Sequence, residues 1–194
     1  MTDHQPHAQP LDPQYPIGPL PQLPGDARVP ATLEQMAVKA RAAVGAWREL
    51  LENRSEAELA RTYRPGGWTL YQLAHHTADA HLHGLHRLRM GLTIPDYMIQ
   101  PFDQDAAVTL PDYTLPVEDA VALMEVINTR WVALLQGVDP AALSRQVMHP
   151  SEGPHDLWQL INKHDWHLRH HLAQAHLTLE QDNSPRDASH TGMS

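Results

Sequence analysis

The sequence predicts an all-α chain folded as a four-helix bundle, and three observations predict it. Apolar residues recur at helical spacing in four stretches of roughly 20 residues. No segment keeps up the two-residue alternation that a half-buried strand requires. Eight of the 17 prolines fall within the first 30 residues, which leaves the middle of the chain largely free to be helix. The chain therefore divides into a Pro-rich lead-in (1–30), a helical bundle (31–180) and a polar tail (181–194) whose composition predicts disorder. The lead-in is expected to be extended and to wrap the bundle.

The first helix is predicted from Thr32 to Glu52, with Leu33, Met36, Ala40, Val44, Trp47 and Leu51 on one stripe. Ser55 followed by Glu58 is a capping-box pattern that opens a helix of about two turns. Pro65, Gly66 and Gly67 then break the chain, and a second long helix starts near Trp68 or Thr69 and runs to about Met90. From 91 to 115 the chain holds Gly91, Pro95, Pro101 and Pro111 and few periodic apolar positions, so it reads as a long crossover between the second and third long helices. The third helix spans about Pro116 to Gly137, with Val117, Val121, Met124, Asn128, Trp131 and Leu135 inward. Asp139 and Pro140 open a short helical turn, Ser151 to Pro154 is a turn, and the last helix runs from about Asp156 to Leu179.

Composition narrows the function. With no cysteine the chain has no disulfide, thiolate metal site or cysteine nucleophile. A formal net charge of −9 argues against a phosphate backbone as partner. The opening residues have neither the basic start nor the apolar run of a signal peptide. No window approaches the roughly 18 apolar residues of a membrane span, so a soluble, cytoplasmic protein is expected.

The unusual feature is histidine: 15 in all, five of them between His75 and His86 and five between His164 and His176. On a helix, His167 and His171 lie one turn apart on the same face, as in a helical metal-binding pair. Their stripe continues upstream through His164, Ile161 or Leu160, and Leu157. In the second helix Leu70, Leu73, Thr77, Ala80 and Gly84 mark the inner face. His76 borders that face, whereas His75 is rotated from it by about 100°. The predicted metal ligands are therefore His76, His167 and His171. Three imidazoles leave at least one open position on a divalent ion, which is the pattern of a catalytic site. Nitrogen ligation suits zinc or nickel and admits iron. Asp79, one turn after His76, is the candidate catalytic carboxylate, and Asp165 is a second candidate to orient a ligand ring. His81, His83, His86 and His170 are expected to face solvent or to lie behind the ligands.

Three segments carry a family resemblance: the run from Tyr63 to His81 (YRPGGWTLYQLAHHTADAH), Arg130 to Leu135 (RWVALL), and Trp166 to Ala173 (WHLRHHLA), together with Tyr15 to Gly18 (YPIG). In combination they resemble the DinB superfamily, and within it the YfiT branch, over about residues 15–178. The resemblance implies a four-helix bundle holding nickel or zinc, with one histidine on the second helix and a pair on the fourth. Matched residue by residue, these are His76, His167 and His171. It also implies a homodimer acting on a small-molecule substrate, while the charge and the lack of an apolar span predict neither a nucleic-acid nor a membrane partner.

Members of the branch are described as metal-dependent hydrolases, while others in the superfamily transfer low-molecular-weight thiols such as bacillithiol. Two enzymatic expectations follow, hydrolysis by metal-activated water and thiol S-transfer, beside a non-catalytic metal-binding module of the stress response. A thiol carrying carboxylates would need arginine, and Arg64, Arg87 and above all Arg130 are the candidates for cofactor binding.

Overall fold

A computed structural model describes residues 12–180; the polar tail and the first 11 residues lie outside that range. Six α-helices are present among the described residues: α1 (Pro30–Leu51), α2 (Glu56–Leu59), α3 (Leu70–Thr93), α4 (Gln104–Ala107), α5 (Val117–Gly137) and α6 (Leu157–Glu180). The four long ones form the expected bundle. Each packs on two neighbours in the cyclic order α1, α5, α3, α6. Helices consecutive in the chain, α1 with α3 and α5 with α6, therefore lie across a diagonal. The core between them is built on Trp47, Trp131 and Trp158, all buried, and on the leucine and alanine stripes of all four helices.

The start of each helix is set by short-range chemistry. Pro30 occupies the first turn of α1, where its missing N–H costs nothing. Ser55 and Glu58 close the predicted capping box on α2, and Thr69 and Gln72 close a second one on α3. At α6 the Asp156 carboxylate accepts from the Gln159 N–H at 2.8 Å, and the Gln159 side chain accepts from the Asp156 N–H at 2.9 Å. These caps fix the rotational phase of α3 and α6, and so the direction in which their histidines point.

The structure departs from the sequence reading in its connections, where α2 makes about one turn instead of two and two further segments differ. A two-stranded antiparallel hairpin, β1 (Gln146–His149) and β2 (Gly153–Asp156), brackets the predicted turn at 151–154. Strands of four mostly polar residues carry no periodic signal. This pair is completed by distant chain, since Met148 exchanges backbone hydrogen bonds with Tyr97 and Ile99. The crossover is also more ordered than expected. α3 runs on to Thr93, and between it and α5 stand α4 and a 3₁₀ turn at Pro111–Thr114.

The described part of the lead-in, residues 12–29, runs along α6. The carbonyls of Gln14, Gly18 and Pro21 accept hydrogen bonds from Gln174, Trp166 and Asn162, so the strap lies antiparallel to the helix. The strap's own backbone has no ladder partner there, and polar side chains of α6 satisfy it.

Between α3 and α6 lies a buried imidazole pair. His81 is fully buried, with its Nδ1 2.5 Å from His164 Nε2 and the two rings nearly parallel at 4.7 Å. The His164 ring also packs on Trp131 at 4.1 Å. It occupies the space above Gly84, where a Cβ would overlap it. Gly84→Ala should therefore lower stability by about 1–3 kcal/mol through overpacking, read as a reduced melting temperature.

Burial holds His81 down at about 4, and His164 well below its ordinary value. A histidine depressed in this way stabilises the fold fully above about pH 6.5, and that stability is lost as pH falls toward the folded value. Thermal melts from pH 7 to 4 should show a steep loss that is reduced in His81→Leu. The fall from an ordinary 6.5 to about 4 corresponds to roughly 3 kcal/mol at this one site.

Candidate metal centre

The capping box at Thr69 places His76 two turns into α3 on the face that meets α6. His76 is buried, and its Nε2 lies 3.4 Å from His167 Nε2. His171 Nε2 lies 3.1 Å from the same atom. The ligand atoms of these three histidines all lie within 4.8 Å of one another. His75, rotated away, instead directs Nε2 to the Leu115 carbonyl at 2.9 Å and packs beside Tyr71 and Tyr113. It fastens the crossover and takes no part in the cluster.

Hydrogen bonding assigns the tautomer of one ring. Gln174 Nε2 donates to the Gln14 carbonyl at 3.1 Å, so its Oε1 faces His171 Nδ1, 2.7 Å away. That nitrogen carries the proton, and His171 Nε2 presents a lone pair. The three Nε2 atoms have no complete hydrogen-bond solution among themselves. A single nitrogen of His167 faces two others and is either donor or acceptor, never both. A proton placed on His76 Nδ1 would be buried with no partner among the described residues.

A shared cation resolves the convergence. Four-coordinate geometry with metal–nitrogen bonds of about 2.05 Å puts ligand nitrogens about 3.3 Å apart; the two separations from His167 Nε2 are 3.1 and 3.4 Å, and all three ligand atoms lie within 4.8 Å of one another. Burial, with neighbouring imidazoles adding to it, keeps all three rings neutral. His76 is pushed down to about 4, and His167 and His171 fall well below their ordinary value. Neutral imidazole is the form that binds metal.

Trp68 covers one side of the cluster, its ring 4.5 Å from His76 and 6.2 Å from His171. Phe102 stands 6.1 Å from His76 on the other side. Two cavities of about 370 and 380 Å³ open beside the cluster, and His167 and Gln104 line both. The first also touches His171, Tyr63, Arg64, Asp105 and His170, and the second touches His76, His83, Phe102 and Arg87.

The other sequence candidates are placed less centrally. Asp79 accepts from the Tyr113 hydroxyl at 2.7 Å and lines neither cavity, because the 3₁₀ turn of the crossover folds onto it. Asp165 is buried in an ion pair with Arg169 at 2.7 Å. Arg130 lies on the exposed face of α5 and lines neither cavity, whereas Arg64 and Arg87 each line one. Of the histidines expected at the surface or behind the ligands, His86 is exposed, His81 and His170 are buried, and His83 stacks on Phe102 at 4.3 Å. Sequence reasoning set Gln174 or Ala175 on the inward stripe of the last helix and Asp105 in the crossover expected to shape the pocket mouth, and gave neither a chemical role. The signal for Gln174 was its place three residues after His171, on the same face of the helix. Asp105 carried none, since α4 has no periodicity.

Gln174→Leu should leave the fold intact and weaken divalent metal binding 10–100-fold, measured by competition with a chelating dye, because the proton on His171 Nδ1 loses its acceptor.

Comparison with known proteins agrees with this architecture. A family model of the DinB superfamily matches residues 40–175. A protein of Oceanobacillus iheyensis, named "Putative metal-dependent hydrolase", is 37% identical over 121 residues, which span 62% of this chain and 69% of that one. A protein of Bacillus mycoides with the same description is 34% identical over 128 residues, 66% of this chain and 73% of its own. The solved structure of YfiT from Bacillus subtilis is described as a probable metal-dependent hydrolase with an unusual four-helix bundle topology. It matches at a TM-score of 0.78 and 26% identity, covering 90% of this chain and 100% of that one. The matched stretch runs from the middle of α1 into α6 and carries all three clustered histidines, and on sequence and fold alike the chain belongs to the DinB superfamily.

Proposed function

We propose that the chain is a metal-dependent hydrolase in which His76, His167 and His171 hold one divalent ion, zinc or nickel. The observation that carries this reading is the convergence of three neutral Nε2 atoms at 3.1 and 3.4 Å beside two open cavities. When bound, such an ion supplies a Lewis acid and brings the pKa of coordinated water toward about 7.

The protein's own groups do the rest. Gln174, fixed by the Gln14 carbonyl, keeps the His171 proton on Nδ1 and its lone pair on Nε2. Trp68 and Phe102 wall the cluster and limit the water that reaches it. Asp105 is the carboxylate lining the cavity shared by His167 and His171, and we assign it as acceptor of the proton released from the attacking water. Arg64, whose guanidinium lies 5.3 Å from the Tyr63 ring centroid, lines the same cavity and can balance negative charge developing on the scissile group.

A second reading is thiol S-transfer. It is favoured by the two separate cavities that meet at His167, one for each of two reactants. With no cysteine in the chain, the sulfur would enter with a low-molecular-weight thiol.

Metal-loaded protein should hydrolyse activated esters or amides, and His167→Ala should reduce the rate to the uncatalysed background. Asp105→Asn should keep the metal and lower kcat by roughly 10²-fold or more. Hydrolysis that is equal in wild type and His167→Ala would remove the hydrolytic reading. Consumption of a thiol together with an epoxide, absent in His167→Ala, would replace it with the second.

A further inference from the structure

The second cavity extends away from the three histidines along α3. His76, Ala80, His83, Gly84 and Arg87 line it in a row, which is the i, i+4, i+7, i+8, i+11 face of one helix. Leu160, Lys163 and His164 of α6 line the opposite side. Gly84, lacking a side chain, lets the His164 ring of α6 lie directly against α3 in this wall. At 1.5 Å per residue the Cα of Arg87 lies roughly 16 Å along the helix from that of His76, and the arginine side chain brings its head several ångströms closer.

Arg87 is an unusual residue to find here. It is half-buried, and burial disfavours its charged form. Its Nη2 donates to the Gln100 carbonyl at 3.1 Å, while its Nε is buried with no partner among the described residues. No carboxylate pairs with it among them. The one acidic side chain in the cavity wall, Glu152, is held by both oxygens on Lys163 Nζ at 2.7 Å. Glu152 also lies near enough to favour the Arg87 charge, but two cations, Lys163 and Arg87, face this one carboxylate, so one positive charge remains in excess in this arm. That is a local positive charge on a chain of net charge −9. Leaving the buried Nε–H of a charged group without an acceptor is costly, and a planar fork of donors matches a planar carboxylate. A single excess charge suits a monoanion better than a phosphate dianion. The space between the fork and the histidines is walled by Phe102, His83 and Leu160, which suit an apolar body.

We propose that this arm is the substrate's acid-binding subsite: Arg87 takes the carboxylate of a small molecule whose apolar body lies against Phe102 and whose reacting end reaches the histidine cluster. The assignment of that molecule as substrate rests on the hydrolytic reading above; the binding of the acid does not.

The test uses the metal-loaded full chain and three probes of one shape: 4-phenylbutyrate, its primary amide, and 3-phenylpropyl phosphate. By titration calorimetry 4-phenylbutyrate should bind at least tenfold more tightly than the amide and more tightly than the phosphate. Arg87→Gln should abolish that preference and Arg89→Gln, on the exposed face of the same helix, should keep it. A carboxylate that merely ligated the ion would be indifferent to Arg87. Equal binding of acid and amide, a preference that survives Arg87→Gln, or a tighter phosphate would each overturn the proposal. Should Arg87→Gln fail to fold, the Arg87 Nε–H resonance of the wild type serves instead: it should move on addition of the acid and stay fixed with the amide, and the reverse result overturns the assignment. Ester turnover is read separately. Arg87-dependent acid binding without turnover defeats the hydrolytic reading and leaves the subsite standing. Equal turnover of neutral and anionic esters, unchanged in Arg87→Gln, does the opposite.

Discussion

The packing of α3 against α6 is the constraint on which everything else rests. It brings three imidazoles from two helices so close that their nitrogens cannot all be satisfied by one another, and it does so in a setting that forbids them to become charged. A cluster of neutral, mutually facing lone pairs is destabilising by itself, because each has given up water without gaining a partner. The arrangement makes physical sense as a frame around a cation. The same helix pair buries His81 against His164 one turn further along, so this seam concentrates polar groups that the apolar core on the other side of the bundle must offset.

The cyclic order of the helices explains how the seam is accessible at all. Because α1 to α3 and α5 to α6 cross diagonals, their connections travel over the ends of the bundle and carry structure of their own, α2 in one and the hairpin in the other. The crossover between α3 and α5, though it joins neighbours, detours to pair Tyr97 and Ile99 with β1. These detours build the rim of both cavities. Loops placed on a rigid helical scaffold, and not the helices themselves, decide what can reach the histidines.

Much of this was legible in the chain. Four long periodic segments defined the bundle, and the four-residue spacing of His167 and His171 put both on the face that joins His76 with no reference to anything distant. His76 could be separated from His75 because Leu73 and Ala80 fix the inner side of α3. What escaped the sequence depends on contacts far apart in it. The hairpin owes its existence to chain some 50 residues upstream. Asp79 is taken up by Tyr113, a partner that only the folded crossover delivers. Arg130 stands beside a buried tryptophan in sequence, yet faces out of the bundle, as neighbours on a helix must. Gln174 acquires its role only through a carbonyl at the opposite end of the described chain.

That last contact reaches into how the molecule is made. Gln174 and Gln14 are separated by 160 positions, and α6 leaves the ribosome after every helix on which it packs. The strap cannot close on α6, nor can His171 be held in its binding tautomer, until both ends of the described chain have come together. Closing so large a loop is slow relative to forming the helices. The frame formed by His76, His167 and His171 is thereby completed only at the final stage of assembly.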